Sequence, residues 1–279
     1  MIKDPHEIIS SRSNKSIKYL KSLSLARNRQ KESRFIVEGI RITEEILERR
    51  CCVRKLIISP HAAQNERAAM LVQSAVEQGV EVLWVADRVV DYLSETKTSQ
   101  GVMALVEPET FSESDLDKGL IPMVVLAHLL QDPGNLGTIV RVTEAAGGGG
   151  VVTTPGTVDF YNPKALRATM GSIFRLPTLR TPSLEDFIHN MKSKGYQVVA
   201  AMVSARIRYF DVDFTKPTVL LLGQEGAGLP PEAALLTDQK VSIPMSTMID
   251  SLNVASAASV ILYEAVRQKI ASGGDFAKK

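Results

Sequence analysis

Three short stretches in the second half of the chain carry residue types from which a site can be built. The first, QDPGNLGTIVRVTEAAG, holds Asn135 and, six residues later, Arg141. The second, GQEGAGLP, sets Glu225 among Gly223, Gly226 and Gly228, with Gln224 beside it. The third, VSIPMSTMIDSLNVASAASVILYEAV, has a polar loop with Ser246, Thr247 and Asp250, then Ser251-Leu252-Asn253. A carboxylate, a guanidinium, two carboxamides and hydroxyls are groups that orient a ligand by hydrogen bonding and charge. Glycines around Glu225 let the backbone approach a ligand closely. A GxxxxGK[ST] phosphate loop is absent, and the first loop lacks the GxGxxG dinucleotide fingerprint.

Each stretch follows an apolar run. Met123–Leu130, Val219–Leu222 and Val241–Ile243 read as strands, so the loops leave the carboxyl ends of strands, where α/β proteins bind nucleotides and anions. A helix runs from the Asp132-Pro133-Gly134-Asn135 turn to about Ala146, and Gly147–Gly150 ends it before strand Val151–Val152. Arg141 lies on the second turn of that helix, where it is either a surface cation or aimed at the same ligand end. Tyr161–Pro177 reads as a helix with Lys164 and Arg167, followed by helix Leu184–Lys194 and strand Gln197–Met202. The long apolar final helix opens at Ser251, a natural N-cap. Without the other two loops, this last segment reads as a capped, buried helix.

The first third alternates helices and strands. Ile36, Ile40, Ile42, Ile46 and Leu47 fit one helical face. Strands follow at Val53–Ile58, Val80–Val85 and Val102–Val106, separated by helices at Asn65–Gln78 and Arg88–Leu93. This pattern predicts a small α/β/α sandwich over residues 1–107. Residues 108–121 are polar and acidic and read as a linker, leaving 122–279 for a parallel-sheet domain.

The chain has 279 residues, 44% hydrophobic and 23% charged, with net charge +2. That describes a soluble protein of one large or two ordinary domains. No apolar run reaches the roughly 20 residues of a membrane span, and the charged N-terminus lacks a signal-peptide core. Adjacent Cys51 and Cys52 fit a reducing compartment, so a cytoplasmic location is expected. The histidines His6, His61, His128 and His189 are scattered, and no metal is expected. Basic residues cluster early: Arg12, Lys15, Lys18, Lys21, Arg27, Arg29, Lys31 and Arg34 face only Glu32 in that stretch. Such an arm suits a phosphate backbone, although a solvated helix face has the same composition.

In order and spacing, the three stretches resemble the three motifs of the SpoU (TrmH) family of S-adenosylmethionine-dependent RNA ribose methyltransferases. SRFIVEGIRITEEIL and TSQGVMALVE resemble the start and end of that family's L30e-like substrate-binding domain. The resemblance implies an α/β fold with a small N-terminal α/β/α domain and a C-terminal parallel-sheet domain carrying a trefoil knot. It also implies a homodimer with the active site where two knots meet. Carried over, the cofactor residues are Leu222, Gly223, Gln224, Gly226, Gly228, Ile243, Pro244, Met245, Ser251, Leu252 and Asn253. Asn135, Arg141, Glu225, Ser251 and Asn253 match the polar active-site positions. The RNA contacts expected are Arg12, Lys15, Lys18, Arg27, Arg29, Arg34 and Arg41. Gln224 departs from the usual Asn of the second motif, and the glycine run 147–150 is richer than usual, which suggests a looser turn.

The resemblance assigns activation of the ribose 2′-hydroxyl to Arg141. Arginine stays protonated and is a poor base. The role that fits its chemistry is to position ribose or phosphate and stabilise a developing alkoxide, with Asn135 orienting the arginine or ribose and Glu225 pairing with a guanidinium. Large-subunit ribosomal RNA is the expected target, ahead of transfer RNA, and antibiotic protection is a possible purpose of the same reaction. A non-catalytic RNA-binding or ribosome-assembly factor is the rival from another class, and the presence of Asn135, Arg141 and Asn253 disfavours it. A nucleotide-dependent oxidoreductase is disfavoured by the missing fingerprint.

Overall fold

The computed structural model describes residues 8–49, 53–96, 98–246 and 251–276. Thr247, Asp250, Cys51, Cys52 and His6 lie outside these. The chain divides into two compact units. One ends at Thr110 and takes in Tyr161–Leu166, and the other comprises the chain from Phe111 apart from that segment.

The first unit contains, in order, α1 (Lys15–Ser22), α2 (Ala26–Glu32), β1 (Phe35–Glu38), α3 (Ile40–Glu48) and β2 (Val53–Ile58). It continues with α4 (Glu66–Glu77), β3 (Glu81–Trp84), α5 (Asp87–Leu93) and β4 (Val102–Val106). The sheet order is β1-β4-β2-β3, with β2 and β3 parallel and the β4 pairings antiparallel. On one face Ile57, Leu83, Met103 and Leu105 pack with Ile17 and Leu20 of α1 and Val89, Val90 and Leu93 of α5. Helices α3 and α4 pack on each other and on the strands β4 and β3.

Three expectations change here. Phe35–Glu38 is a strand, and the helix begins only at Ile40, because Gly39 at φ 118° turns the chain between them. Arg29 is no RNA contact. It is buried, and its guanidinium donates to the carbonyls of Leu23 (2.9 Å) and Ser24 (2.7 Å), satisfying acceptors just past the end of α1. Arg34 is committed to Glu107 at 2.7 Å, and Arg54 and Arg34 together hold that carboxyl down at about 2. Arg12, Lys15, Lys18, Arg27 and Arg41 are exposed.

The second unit contains β5 (Met123–Ala127), α6 (Pro133–Ala145), β6 (Gly150–Thr153), β7 (Thr178–Arg180) and α8 (Leu184–Ser193); α7 (Pro163–Thr169), which precedes β7 in the chain, belongs to the first unit as far as Leu166 and to the second from Arg167. It then runs through β8 (Gln197–Ala201), β9 (Ile207–Arg208), β10 (Thr218–Leu222), α9 (Pro231–Leu235), β11 (Gln239–Ser242) and α10 (Val254–Ala271). All pairings of the seven-stranded sheet, β7-β6-β5-β10-β8-β11-β9, are parallel. MVVLA of β5 and TVLLL of β10 are buried at every residue, as a sheet covered on both faces requires. Helix α8 covers one face through Phe187, Ile188 and Met191 against Val124, Leu126, Val198 and Leu221.

The register pairs Leu222 with Ala127, Leu221 with Ala200, and Val241 with Ala201. The loops after β5, β10, β8 and β11 therefore leave from one end. From β5 the chain steps outward through β6 and β7, and it returns on the opposite side of β5. This is the topological switch point at which open α/β sheets bind ligands.

The segment expected to be a linker is ordered. Glu113–Lys118 is a short 3₁₀ helix closed by Ser112 and Asp115, with Leu116 buried. It presses on Gly147–Gly150. A methyl group added at Gly148 would stand 2.7 Å from Thr143 Cγ2, one at Gly150 2.5 Å from Leu116 Cδ2, and one at Gly149 would collide with the Leu116 carbonyl oxygen. The glycine run is a tight crossing of two chain segments, not a loosened turn.

Candidate active site

The β10–α9 loop is a closed hairpin: Gln224 N–H donates to Gly228 O at 3.0 Å, and Gly228 N–H to Gln224 O at 2.9 Å. Gly223 is required because a side chain there would stand 2.5 Å from the Gly228 carbonyl carbon. Gly226 and Gly228 have φ of 78° and 72°, and nothing lies within 4 Å of an added Cβ at either. The Cα side of both is open, as close approach by a ligand needs.

This hairpin forms one wall of a cleft of about 310 Å³. The expected residues Leu222, Gly223, Gln224, Gly226, Gly228, Ile243, Met245, Ser251, Leu252 and Asn253 line it, and Pro244 does not. Met202 and Val203 after β8, and Val254 and Ala257 of α10, also line it and were missed by motif reasoning. The rule that ligands gather at the carboxyl ends of parallel strands points to the residues after β8 as well.

Glu225 turns from the hairpin toward the start of α6. Its carboxylate accepts from Gln131 N–H (3.0 Å), Asp132 N–H (3.2 Å) and Asn135 Nδ2 (2.9 Å). Burial pushes this carboxyl up, but the bonds from Asn135, Gln131 and Asp132 outweigh it and hold it below its ordinary value. The sequence suggested a guanidinium partner for Glu225; among the described residues its partners are N–H groups.

Asn135 accepts in turn, through Oδ1, from Nδ2 of Asn253 at 2.8 Å. Asn253 Oδ1 accepts from the amides of Ala255 (2.9 Å) and Ser256 (3.3 Å), which makes it the N-cap of α10. Ser251 therefore is not the cap; the helix starts at Val254. The orientation of both carboxamides follows from these bonds. Asn253 must present its oxygen to the helix amides, which leaves its NH₂ for Asn135 and turns the Asn135 NH₂ to Glu225. One residue from each of the three loops thus joins a single directed chain.

The loop before α6 is held as firmly. Leu129 sits at φ 61°, its N–H bonded to Thr157 Oγ1 at 2.9 Å, and the Gln131 side chain donates to the carbonyls of Leu129 and Gly156, both at 2.8 Å. A leucine in the left-handed region is strained backbone held by its surroundings, and here it aims two amides at Glu225. Arg141 stands apart. Six residues along α6 is about 9 Å of rise, and its exposed guanidinium has no ion pair or hydrogen bond among the described residues.

No group of three or more metal-ligating side chains occurs among the described residues, and no described helix is long and apolar enough to cross a membrane.

Residues 122–263 match the SpoU rRNA Methylase family, and residues 14–104 match the MRM3-like substrate binding domain. The chain is 34% identical over 260 residues to the 23S rRNA (uridine(2479)-2'-O)-methyltransferase of Streptomyces viridochromogenes, covering 88% of each protein. It is 30% identical to the 23S rRNA (guanosine(2553)-2'-O)-methyltransferase RlmP of Bacillus subtilis, covering 91% of this chain and 97% of that one. The crystal structure of AdoMet-bound rRNA methyltransferase from Sinorhizobium meliloti superposes with a TM-score of 0.83 at 31% identity, covering 95% of this chain and 98% of that one. A cleft at the carboxyl ends of the parallel strands β8, β10 and β11, three motif loops tied by Glu225, Asn135 and Asn253, and these matches across both units lead to one assignment: the chain belongs to the SpoU rRNA methylase family.

Proposed function

We propose that this protein methylates a ribose 2′-hydroxyl of large-subunit ribosomal RNA, using S-adenosylmethionine. The observation that carries this reading is the directed chain Glu225–Asn135–Asn253, which ties two loops that line the cleft to the start of α6. The cleft suits the cofactor: Val203, Leu222, Ile243 and Leu252 offer apolar walls to a purine, and Gly226 and Gly228, with no side chain and nothing within 4 Å of an added Cβ, let it come close to the hairpin backbone. When bound, S-adenosylmethionine supplies a methyl group that is already activated.

The protein's part is placement. Leu222 to Gly228, Ile243 to Met245 and Ser251 to Asn253 hold the cofactor. Asn135 and Glu225 keep the loop edges fixed, so the attacking hydroxyl meets a rigid site. Arg141 orients the ribose or its phosphate and stabilises the developing alkoxide, and the proton leaves to water or phosphate. Its distance from Asn135 along α6 fits service at the cleft of a second copy, in a homodimer formed by the sheet domain. Helix α10, which leaves Tyr263 and Ile270 exposed, supports that assembly. In the N-terminal unit, Arg12, Lys15, Lys18, Arg27 and Arg41 contact RNA. Arg12 and Lys21 stand 4.8 and 5.1 Å from the Tyr92 ring centroid and add an aromatic to that face.

The test is transfer of labelled methyl to unmodified large-subunit ribosomal RNA, with the product mapped by resistance to alkali, since a 2′-O-methyl removes the internal nucleophile. One protected position is expected. Label without protection means base methylation and refutes the ribose assignment. Near-wild-type turnover by Arg141→Lys would refute the role given to the planar guanidinium.

A further inference from the structure

The sheet edge beside the cleft carries charge that nothing described in the protein neutralises. Strand β9 is outermost and pairs in parallel with β11, Val241 opposite Ile207 and Ser242 opposite Arg208. Arg206 and Lys240 each precede a paired residue, so this register sets the two cations side by side. Both are exposed, and neither has an ion pair or hydrogen bond to a described residue. Like charges opposite one another across strands are destabilising, and a bridging anion reverses the sign.

An aromatic ring follows four residues after Arg206. Phe210 is 41% exposed, with Tyr209 edge-on at 5.0 Å and the Arg208 guanidinium carbon 4.8 Å from its centroid. Asp211 holds that guanidinium, accepting from its Nε at 2.9 Å. The ring is thus fixed without being covered. The patch is continuous with the cleft: Val203, 65% exposed on the connection leading to Arg206, and Val241 beside Lys240 both line it.

We propose that Arg206, Lys240 and Phe210 form a binding site for unpaired RNA flanking the acceptor nucleotide, two phosphates meeting the cations and one base stacking on Phe210. The proposal rests on the reading that this protein acts on RNA. A second copy fits the patch poorly, because a two-fold contact would set these cations against their own images.

The test measures binding of an unpaired oligoribonucleotide to the full-length protein by fluorescence anisotropy over a range of salt. Arg206→Gln/Lys240→Gln should weaken binding and reduce the slope of log affinity against log salt by about 1.4, at about 0.7 per single-strand phosphate contact. Phe210→Leu should weaken binding about tenfold with the slope unchanged. Arg206→Lys/Lys240→Arg should keep the slope, and S-adenosylmethionine affinity should stay constant throughout. If the double variant does not fold, Arg206→Gln alone should reduce the slope by about 0.7. Unchanged affinity and slope would overturn the proposal, as would weakened self-association in sedimentation with RNA binding intact. If the wild type shows no methyl transfer while these losses appear, methylation falls and the RNA site stands.

Discussion

Two glycine-rich segments of the sheet domain look alike as letters and do opposite things. In Gly147–Gly150 an added methyl runs into Leu116, Leu120, Thr143 or Pro177, because a capped 3₁₀ helix lies against the backbone. In the Gly223–Gly228 hairpin, methyls at Gly226 and Gly228 meet nothing. The first segment is glycine so that the chain can pack on itself; in the second only Gly223 serves that end, and Gly226 and Gly228 leave room for something outside the chain to approach. What separates a scaffold glycine from a site glycine is the neighbour, and the neighbour is distant in sequence.

The contrast is easiest to break at Gly149. Gly149→Ala places a methyl on the Leu116 carbonyl oxygen, and backbone cannot swing away as a side chain can. Overpacking at such a point should cost about 3 kcal/mol. Denaturant unfolding should show this loss, with S-adenosylmethionine affinity of the folded fraction unchanged. A wild-type midpoint would show that the crossing is not tight.

The tie between the loops comes next in size. Asn253→Ala removes a helix cap and a bond to Asn135, and should cost about 1–2 kcal/mol together with about a hundredfold in turnover. Asn253→Asp separates the two effects, since a carboxylate still caps α10 but cannot donate to Asn135. Stability should return while turnover stays low. Recovery of both would mean that the cap alone matters. A smaller effect is expected at Gly226→Ala: about 1 kcal/mol for forcing alanine to φ 78°, with S-adenosylmethionine binding weakened about tenfold by the bulk at the cleft. Loss of stability without loss of cofactor affinity would move Gly226 into the scaffold class.

What the sequence revealed follows from range. The strands MVVLA, VLLL and VMALV are continuous apolar runs and are legible without neighbours. Thr178–Arg180 and Ile207–Arg208 were not legible as strands, being short, partly polar edges whose only cause is the strand beside them. Phe35–Glu38 was absorbed into a helix because its apolar residues continue the helical spacing of Ile40 and Ile46. Ser251 and Asn253 are both good caps, and only the reach to Asn135, 118 residues away, shows what Asn253 is doing besides capping. Arg29 counted as a free charge because nothing local shows that the end of α1 folds over it. The residues of the cleft were legible as motifs, but their hydrogen bonds were not.

The smallest effect concerns how Glu225 is held. Its carboxyl lies below the ordinary value because the hydrogen bonds that tie it to Asn135, Gln131 and Asp132 outweigh the cost of burial. A depressed folded value means that the stabilisation is fully present above the unfolded value of about 4.5 and is lost as pH falls through the folded value. Hairpin and α6 loop should therefore loosen together in acid, while the Gly147–Gly150 crossing should respond only at lower pH, because Lys118 and Ser112 hold the carboxyl of Asp115, which caps the 3₁₀ helix there, down at about 2. Comparing wild type with Glu225→Gln between pH 7 and 3, the stability difference should shrink toward the acid end, and S-adenosylmethionine affinity of the wild type should fall over the same range. A difference that stays constant with pH would mean that the charge on Glu225 is not what binds the two loops, and that hydrogen-bonding shape alone suffices.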